Sequence, residues 1–161
     1  MKSLRDNENG AAVIEFAILL LLLMPLLFGI IEFGFLWAQS HYLSQATREG
    51  ARAGARIATY DSDFNIINQS AVKAAVDASV NTTLAKFYNK PGQVAKIVTI
   101  DTPKLVTVGT LPALEVRVTV NSSAIWPPML WQILKLIPSY DGQHSDIKEL
   151  NDTATFAITS H

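Results

Sequence analysis

Residues Phe16 to Ile31 form a run of sixteen uncharged residues, with LLLLLMPLLFG at its centre and a glutamate, Glu15 and Glu32, at each end. As a helix the run spans roughly 24 Å, short of the roughly 30 Å hydrocarbon core of a bilayer. Extending the helix from Ala11 to Ala38 gives 28 residues and about 42 Å, enough to cross with tilt. Both carboxylates then fall near the two interfaces. Placing them deeper would cost on the order of 2 to 3 kcal/mol each.

Apolar residues make up 49% of the 161 positions and crowd into the first forty, after which the chain becomes an ordinary polar and apolar mixture. The expected organisation is an anchor followed by one small domain. The balance of 13 basic and 14 acidic residues leaves no electrostatic footprint for nucleic acid. Cysteine is absent, which removes disulfides, thiol nucleophiles and thiolate metal sites. Lys2 and Arg5 precede the run as in a secretory signal, but the run exceeds the usual apolar length. Leu36 also stands where a small residue should precede the cut. A plain uncleaved anchor accounts for the hydrophobicity and gives Glu15 no purpose.

The residues before the run are more specific. A polar leader, MKSLRDNENG, ends at Gly10 and is followed by Ala11, Ala12, Val13, Ile14, Glu15 and Phe16. This resembles the processing site of type IV pilin-like precursors, in which a membrane prepilin peptidase cuts after Gly and Glu is the fifth mature residue. Phe16 stands where Flp-type pilins usually carry Tyr. Further on, PLLFGIIEFGFLWAQSHYLSQATREGARAGAR, Pro25 to Arg56, resembles the signature of the TadE-like pseudopilins of the Tad (tight adherence) pilus machinery. Gly29, Glu32, Phe33, Gly34, Ala46, Arg48, Gly50, Ala51 and Arg52 carry that match.

The resemblance implies a leader over residues 1–10, cut between Gly10 and Ala11, a transmembrane helix over 11–38, and an extracytoplasmic domain over 39–161. It implies a bacterial inner-membrane protein with its carboxyl-terminal domain periplasmic or extracellular. Its expected partners are the peptidase, other Tad pilins and pseudopilins, and the pilus assembly platform. Glu15 and Phe16 would serve assembly, the glutamate facing the new amino terminus of a neighbouring subunit, an ammonium that offsets the cost of a buried carboxylate. Glu32 is either an interfacial carboxylate or a partner for a charge on another subunit. Charge alone does not orient the span, with Lys2 and Arg5 before it and three arginines after it.

From Ser40 to Thr59 the pattern stays helical. Ala46, Gly50, Gly54 and Ala58 recur every four residues as a smooth stripe. Arg48, Arg52 and Arg56 form a basic stripe about 200° round the helix. The smooth face suits packing either on the chain's own domain or on another subunit, and the arginines are either solvated or open to acidic partners. Pro25 removes one backbone donor and is expected to kink or loosen the helix.

The remainder reads as an α+β domain, a second helix with a small antiparallel sheet. DSDFN, Asp61 to Asn65, imitates the start of a calcium loop, but Ile66 and Val72 occupy the glycine and glutamate positions, so a helix-capping turn is expected. A helix over 66–88 has Val72, Val76, Val80, Leu84 and Phe87 on one side, with Lys73 and Asp77 paired on the other. VAKIVTI, LVTV and TATFAITS read as strands, and LEVRVTVN alternates with Leu114, Val116, Val118 and Val120 inward. WPPMLWQILKLIP, residues 126–138, is a short amphipathic insertion covering the sheet or lying on a membrane or partner surface. His41, His144 and His161 are scattered, and Asp141, His144 and Asp146 form a polar loop without metal-ligand spacing. No catalytic constellation, cofactor motif or metal site emerges, so the expected role is structural, not enzymatic.

Overall fold

A computed structural model describes residues 5–88, 94, 96–121 and 149–158. The described elements are α1 (Arg5–Ala55), α2 (Gln69–Tyr88), β1 (Val98–Ile100), β2 (Lys104–Val108), β3 (Leu111–Asn121) and β4 (Glu149–Ala157). The α+β class expected from the sequence is what folds. The chain divides between Phe35 and Leu36 into two compact units, each considered separately.

The first unit contains α1 as far as Phe35. The helix continues through Pro25, and every residue from Gly10 to Met24 is exposed. That exposure of leucines and isoleucines is what a helix made for a non-aqueous surrounding presents. Among the described residues α1 is the one helix long and apolar enough to cross a membrane.

In the second unit β3 organises the sheet. β1 and β2 pair with successive halves of one edge of β3, at Ile100↔Val118 and at Lys104↔Glu115, while β4 pairs antiparallel along the other edge from Ala113↔Ala157 to Asn121↔Glu149. Pro103 stands between β1 and β2, where an amide donor would be missing from the ladder. Asp101 carries the pairing across that gap by donating its N–H to the Arg117 carbonyl at 3.0 Å. Gly109 has φ 66°, the left-handed value that lets the chain reverse between Val108 and Leu111 in two residues.

The alternation in β3 is realised: Leu114, Val116, Val118 and Val120 are buried. They join Val72, Val76, Val80 and Leu84 of α2 and Leu43, Ala46, Ala51 and Ala55 of α1 in one core. Full burial of a valine or leucine stabilises by roughly 1.5 to 3 kcal/mol. The Lys73–Asp77 pair, 2.9 Å apart and partly exposed, adds on the order of 0.3 to 0.5 kcal/mol. Packing, not charge, therefore holds α2 in place.

Several boundaries differ from expectation. The helix expected from residue 66 begins at Gln69, because Ile66 bridges to Tyr60. DSDFN does not cap the helix but forms a turn of its own, with Asp61 Oδ1 accepting from the Asp63 and Asn65 amides. The helix expected to reach Thr59 ends at Ala55. There Asn68 Nδ2 donates to the Ile57 carbonyl at 2.6 Å and Asn68 Oδ1 accepts from the Thr59 amide at 2.9 Å. One side chain thus satisfies a carbonyl and an amide of the segment that follows the helix. The last strand starts at Glu149, before the expected TATFAITS, because β3 is long enough to pair with it to Asn121. The insertion at 126–138 and the 141–146 loop lie outside the described residues.

A methyl at Gly54 would sit 2.6 Å from Leu114 Cδ2 and 2.7 Å from Val76 Cγ2. Alanine gains about 1 kcal/mol in helix propensity, but overpacking costs about 1 to 3 kcal/mol, and a branched residue adds still more volume. Gly54→Val should therefore lower the thermal midpoint of the full chain in detergent micelles. Gly34→Ala, whose methyl meets nothing within 4 Å among the described residues, should leave it unchanged or slightly raised. Equal midpoints for Gly54→Val and the parent would show that α1 and α2 do not meet closely there.

Candidate functional site

The residues singled out by the sequence fall on three stretches of α1. Gly10, Ala11, Glu15 and Phe16 lie in its first, exposed stretch, with Phe16 65% exposed. Helical spacing puts Ala11 and Glu15 one turn apart on one face. Glu32, half-buried, lies further along. The two stripes occupy the last stretch, which belongs to the second unit, with Arg56 and Ala58 just past the Ala55 end of the helix.

The smooth stripe is covered within the chain. Ala46 and Ala58 are buried, and a Cβ added at Gly50 would lie 2.6 Å from Val80 Cγ2. The glycines thus admit α2 to a distance that any larger residue would prevent. Of the two readings of this stripe, packing on the chain's own domain is the arrangement found. Thr47, fully buried between these positions, returns its hydroxyl to the Leu43 carbonyl at 2.8 Å. A polar residue therefore fits this face without an unsatisfied group.

Arg48, Arg52 and Arg56 are exposed on the other side. None of them forms an ion pair within the described residues. Arg48 and Arg52 border a groove between α1 and β4 that Glu49, Asp152, Thr155 and Phe156 also line. The carboxylates temper the basic character of the groove, so the freest positive charge is the row itself, running along the helix.

Spacing did not reveal an aromatic cluster where α1 enters the second unit. Tyr42 and Phe87 pack with ring centroids 4.5 Å apart, and Phe87 meets Tyr88 edge-on at 4.9 Å. Trp37 and His41, one turn apart, meet edge-on at 4.8 Å. The signal was available: Phe87 falls on the inner spacing of α2, and Tyr42 precedes Ala46 by one turn. Burial pushes the Tyr88 hydroxyl up to about 12, and the side chain of buried Gln39 beside it offsets this only in part. In the turn after α1, the Asn65 backbone N–H, then its side chain and the Asp63 N–H, hold the Asp61 carboxyl below the usual range.

A family model described as TadE-like protein matches residues 10–52. The helix carries the TadE-like signature. The matched stretch runs from Gly10 through Glu15, Glu32, Arg48 and Gly50 to Arg52, so it includes the apolar run and the first half of the smooth stripe with Arg48 and Arg52. No characterised protein and no solved structure matches the chain. Everything after residue 52 is therefore understood from its own packing. That packing gives the signature glycine a physical purpose: Gly50 of the TadE-like segment is where α2 docks.

The Tyr88 shift has a definite sign. A tyrosine that keeps its proton to about pH 12 when folded, but only to about pH 10 when unfolded, contributes stability below pH 10. That contribution is lost as pH rises through the window up to about 12. Spectrophotometric titration of the folded chain should show one tyrosine ionising late. Tyr88→Phe should remove that late step, and its persistence would reassign it to another tyrosine.

Proposed function

We propose that the chain is a minor pseudopilin that takes part in assembling a Tad/Flp pilus. It is a structural component and not a catalyst. It is made with the leader MKSLRDNENG, which a prepilin peptidase removes after Gly10. The observation that carries this reading is the joint occurrence of Gly10, Glu15 and the arginine and glycine motif in one matched segment, 10–52. A generic anchor requires only hydrophobicity and explains none of the three. The exposed surface of Gly10 to Met24 supports an inner-membrane anchor whose helix meets lipid and, in an assembly, the helices of other pilins. In this reading the domain after residue 38 is periplasmic or extracellular, and the assembly platform is among its partners. The contrasting reading is a single-pass periplasmic binding or structural module that is never cut.

The cut exposes an ammonium at Ala11, and Glu15 lies within reach of such a group on its own or a neighbouring chain. A charge-assisted pair offsets the desolvation that a lone carboxylate would suffer. The order of events is simple. Removal of the leader creates the cation, and the cation makes the glutamate tolerable at depth.

Sequencing the amino terminus of the protein from cells with an active prepilin peptidase should give AAVIEF, and Gly10→Ala should retain the leader. An intact leader on the parent protein would overturn the pseudopilin reading in favour of the uncut anchor. Glu15→Gln keeps the side chain's shape and removes its charge. It should leave insertion and cleavage intact while piliation falls. Normal piliation at parental protein levels would show that the charge is incidental.

A further inference from the structure

We propose that the membrane-proximal end of the folded domain is itself a lipid-binding surface. In it Trp37 and Tyr42 of α1 and Phe87 at the carboxyl end of α2 are embedded in the headgroup layer of the bilayer. The inference rests on the membrane-anchor reading of α1 and extends it to a second element, α2, which no sequence hydropathy marks.

The chain's own spacing leads there. Gln39 is the first polar residue after Glu32, and Phe33 to Thr47 contains no formally charged side chain. The apolar span therefore ends at about residue 38, and Tyr42 stands one turn, about 6 Å, beyond it. A bilayer of about 40 to 45 Å with a core of about 30 Å has a headgroup layer of roughly 5 to 7 Å on each side. Tyr42 falls inside that layer. Because Phe87 packs on Tyr42 at 4.5 Å, the carboxyl end of α2 is carried to the same depth.

The side chains at this level have the character that the layer selects. Trp37 is 61% exposed and Tyr42 39% exposed, large values for such rings in water but ordinary for aromatic residues at a membrane interface. Trp37 and Tyr42 are five residues apart, about 140° round the helix, so the aromatic groups encircle α1 and do not form one sticky side. Exposed Lys86, in the last turn of α2, is the neighbouring cation, with a stem that can follow apolar surface while its ammonium meets a lipid phosphate. The first charge of the basic stripe, Arg48, stands about 9 Å further along α1 than Tyr42, Arg52 about 15 Å, and Arg56 just beyond the end of the helix. The stripe thus lies above the headgroups, which leaves it to a protein partner and not to lipid.

Depth measurement tests this on the full chain. The natural tryptophans are replaced (Trp37→Phe, Trp126→Phe, Trp131→Phe), and one reporter is introduced per variant: Leu22→Trp, Tyr42→Trp, Phe87→Trp or Phe64→Trp. The proteins are placed in phosphatidylethanolamine and phosphatidylglycerol vesicles with acyl chains brominated near the headgroup or near the chain end, and iodide is the aqueous quencher. Tyr42→Trp and Phe87→Trp should be quenched by the shallow bromines at least about threefold more strongly than Phe64→Trp, as expected of interfacial rings. They should also be shielded from iodide. Leu22→Trp should respond to the deep bromines. If Leu22→Trp responds but Tyr42→Trp and Phe87→Trp are as open to iodide as Phe64→Trp, the interfacial docking of α2 is overturned while the anchor stands. If Leu22→Trp is not quenched by either lipid, the anchor reading and this proposal fall together.

Discussion

The folded part of this protein depends on how closely two helices can approach. Gly50 and Gly54 leave no side chain where Val80, Val76 and Leu114 press against α1. This one face therefore receives both α2 and the central strand β3. Any side chain on the glycines would push α2 outward, and α2 would then lift from the Leu114 to Val120 row that it covers. Val94, Ala58 and Ile158 complete that core beside the two helices. An 11-residue strand paired along both edges still needs one face buried, and α1 and α2 bury it.

The same contact separates the tasks of α1. Along α1 the surroundings of the side chains change while the backbone stays helical. From Ala11 to Met24 the helix is apolar except at Glu15, and it is exposed on every side. After Gln39 it is small and buried on one side and basic on the other. A turn of polar and aromatic residues, Gln39 to Tyr42, stands between these regimes. Burial of Gln39 beside Tyr88 shows that the domain core begins almost as soon as the apolar run stops.

The sequence made the periodic parts of this fold readable and left the aperiodic parts hidden. Four-residue spacing identified Val72, Val76, Val80 and Leu84 as an inner face, and two-residue spacing identified the inner face of β3, because burial there follows from backbone period alone. Helix ends were misplaced because side chains from distant positions decide them. Asn68 fastens to Ile57 and Thr59, and nothing local in HYLSQATREGARAGARIAT announces it. The Asp61 turn had the composition of a cap or an ion loop, and only its hydrogen bonds distinguish it from both. For the functional stretch, the Gly10 to Arg52 signature was legible as a pattern. Its smooth stripe was ambiguous because periodicity cannot say whether the complementary surface lies in the same chain or in another.

That ambiguity has a consequence for how such a chain can meet its neighbours. Gly50 and Gly54 are occupied by α2 and β3, so the part of α1 in the second unit cannot also offer its smooth face to another subunit unless the domain opens. The surface left on that stretch is the one with Arg48, Arg52 and Arg56. An arginine row spaced at one helical turn favours a partner with carboxylates at matching intervals, since each pair then forms without bending either element. Exposed pairs of this kind contribute only about 0 to 1 kcal/mol each. They set register and partner choice more than affinity. On the apolar part of α1 the glycines are not used as Gly50 and Gly54 are: among the described residues, nothing lies within 4 Å of a Cβ added at Gly29 or Gly34.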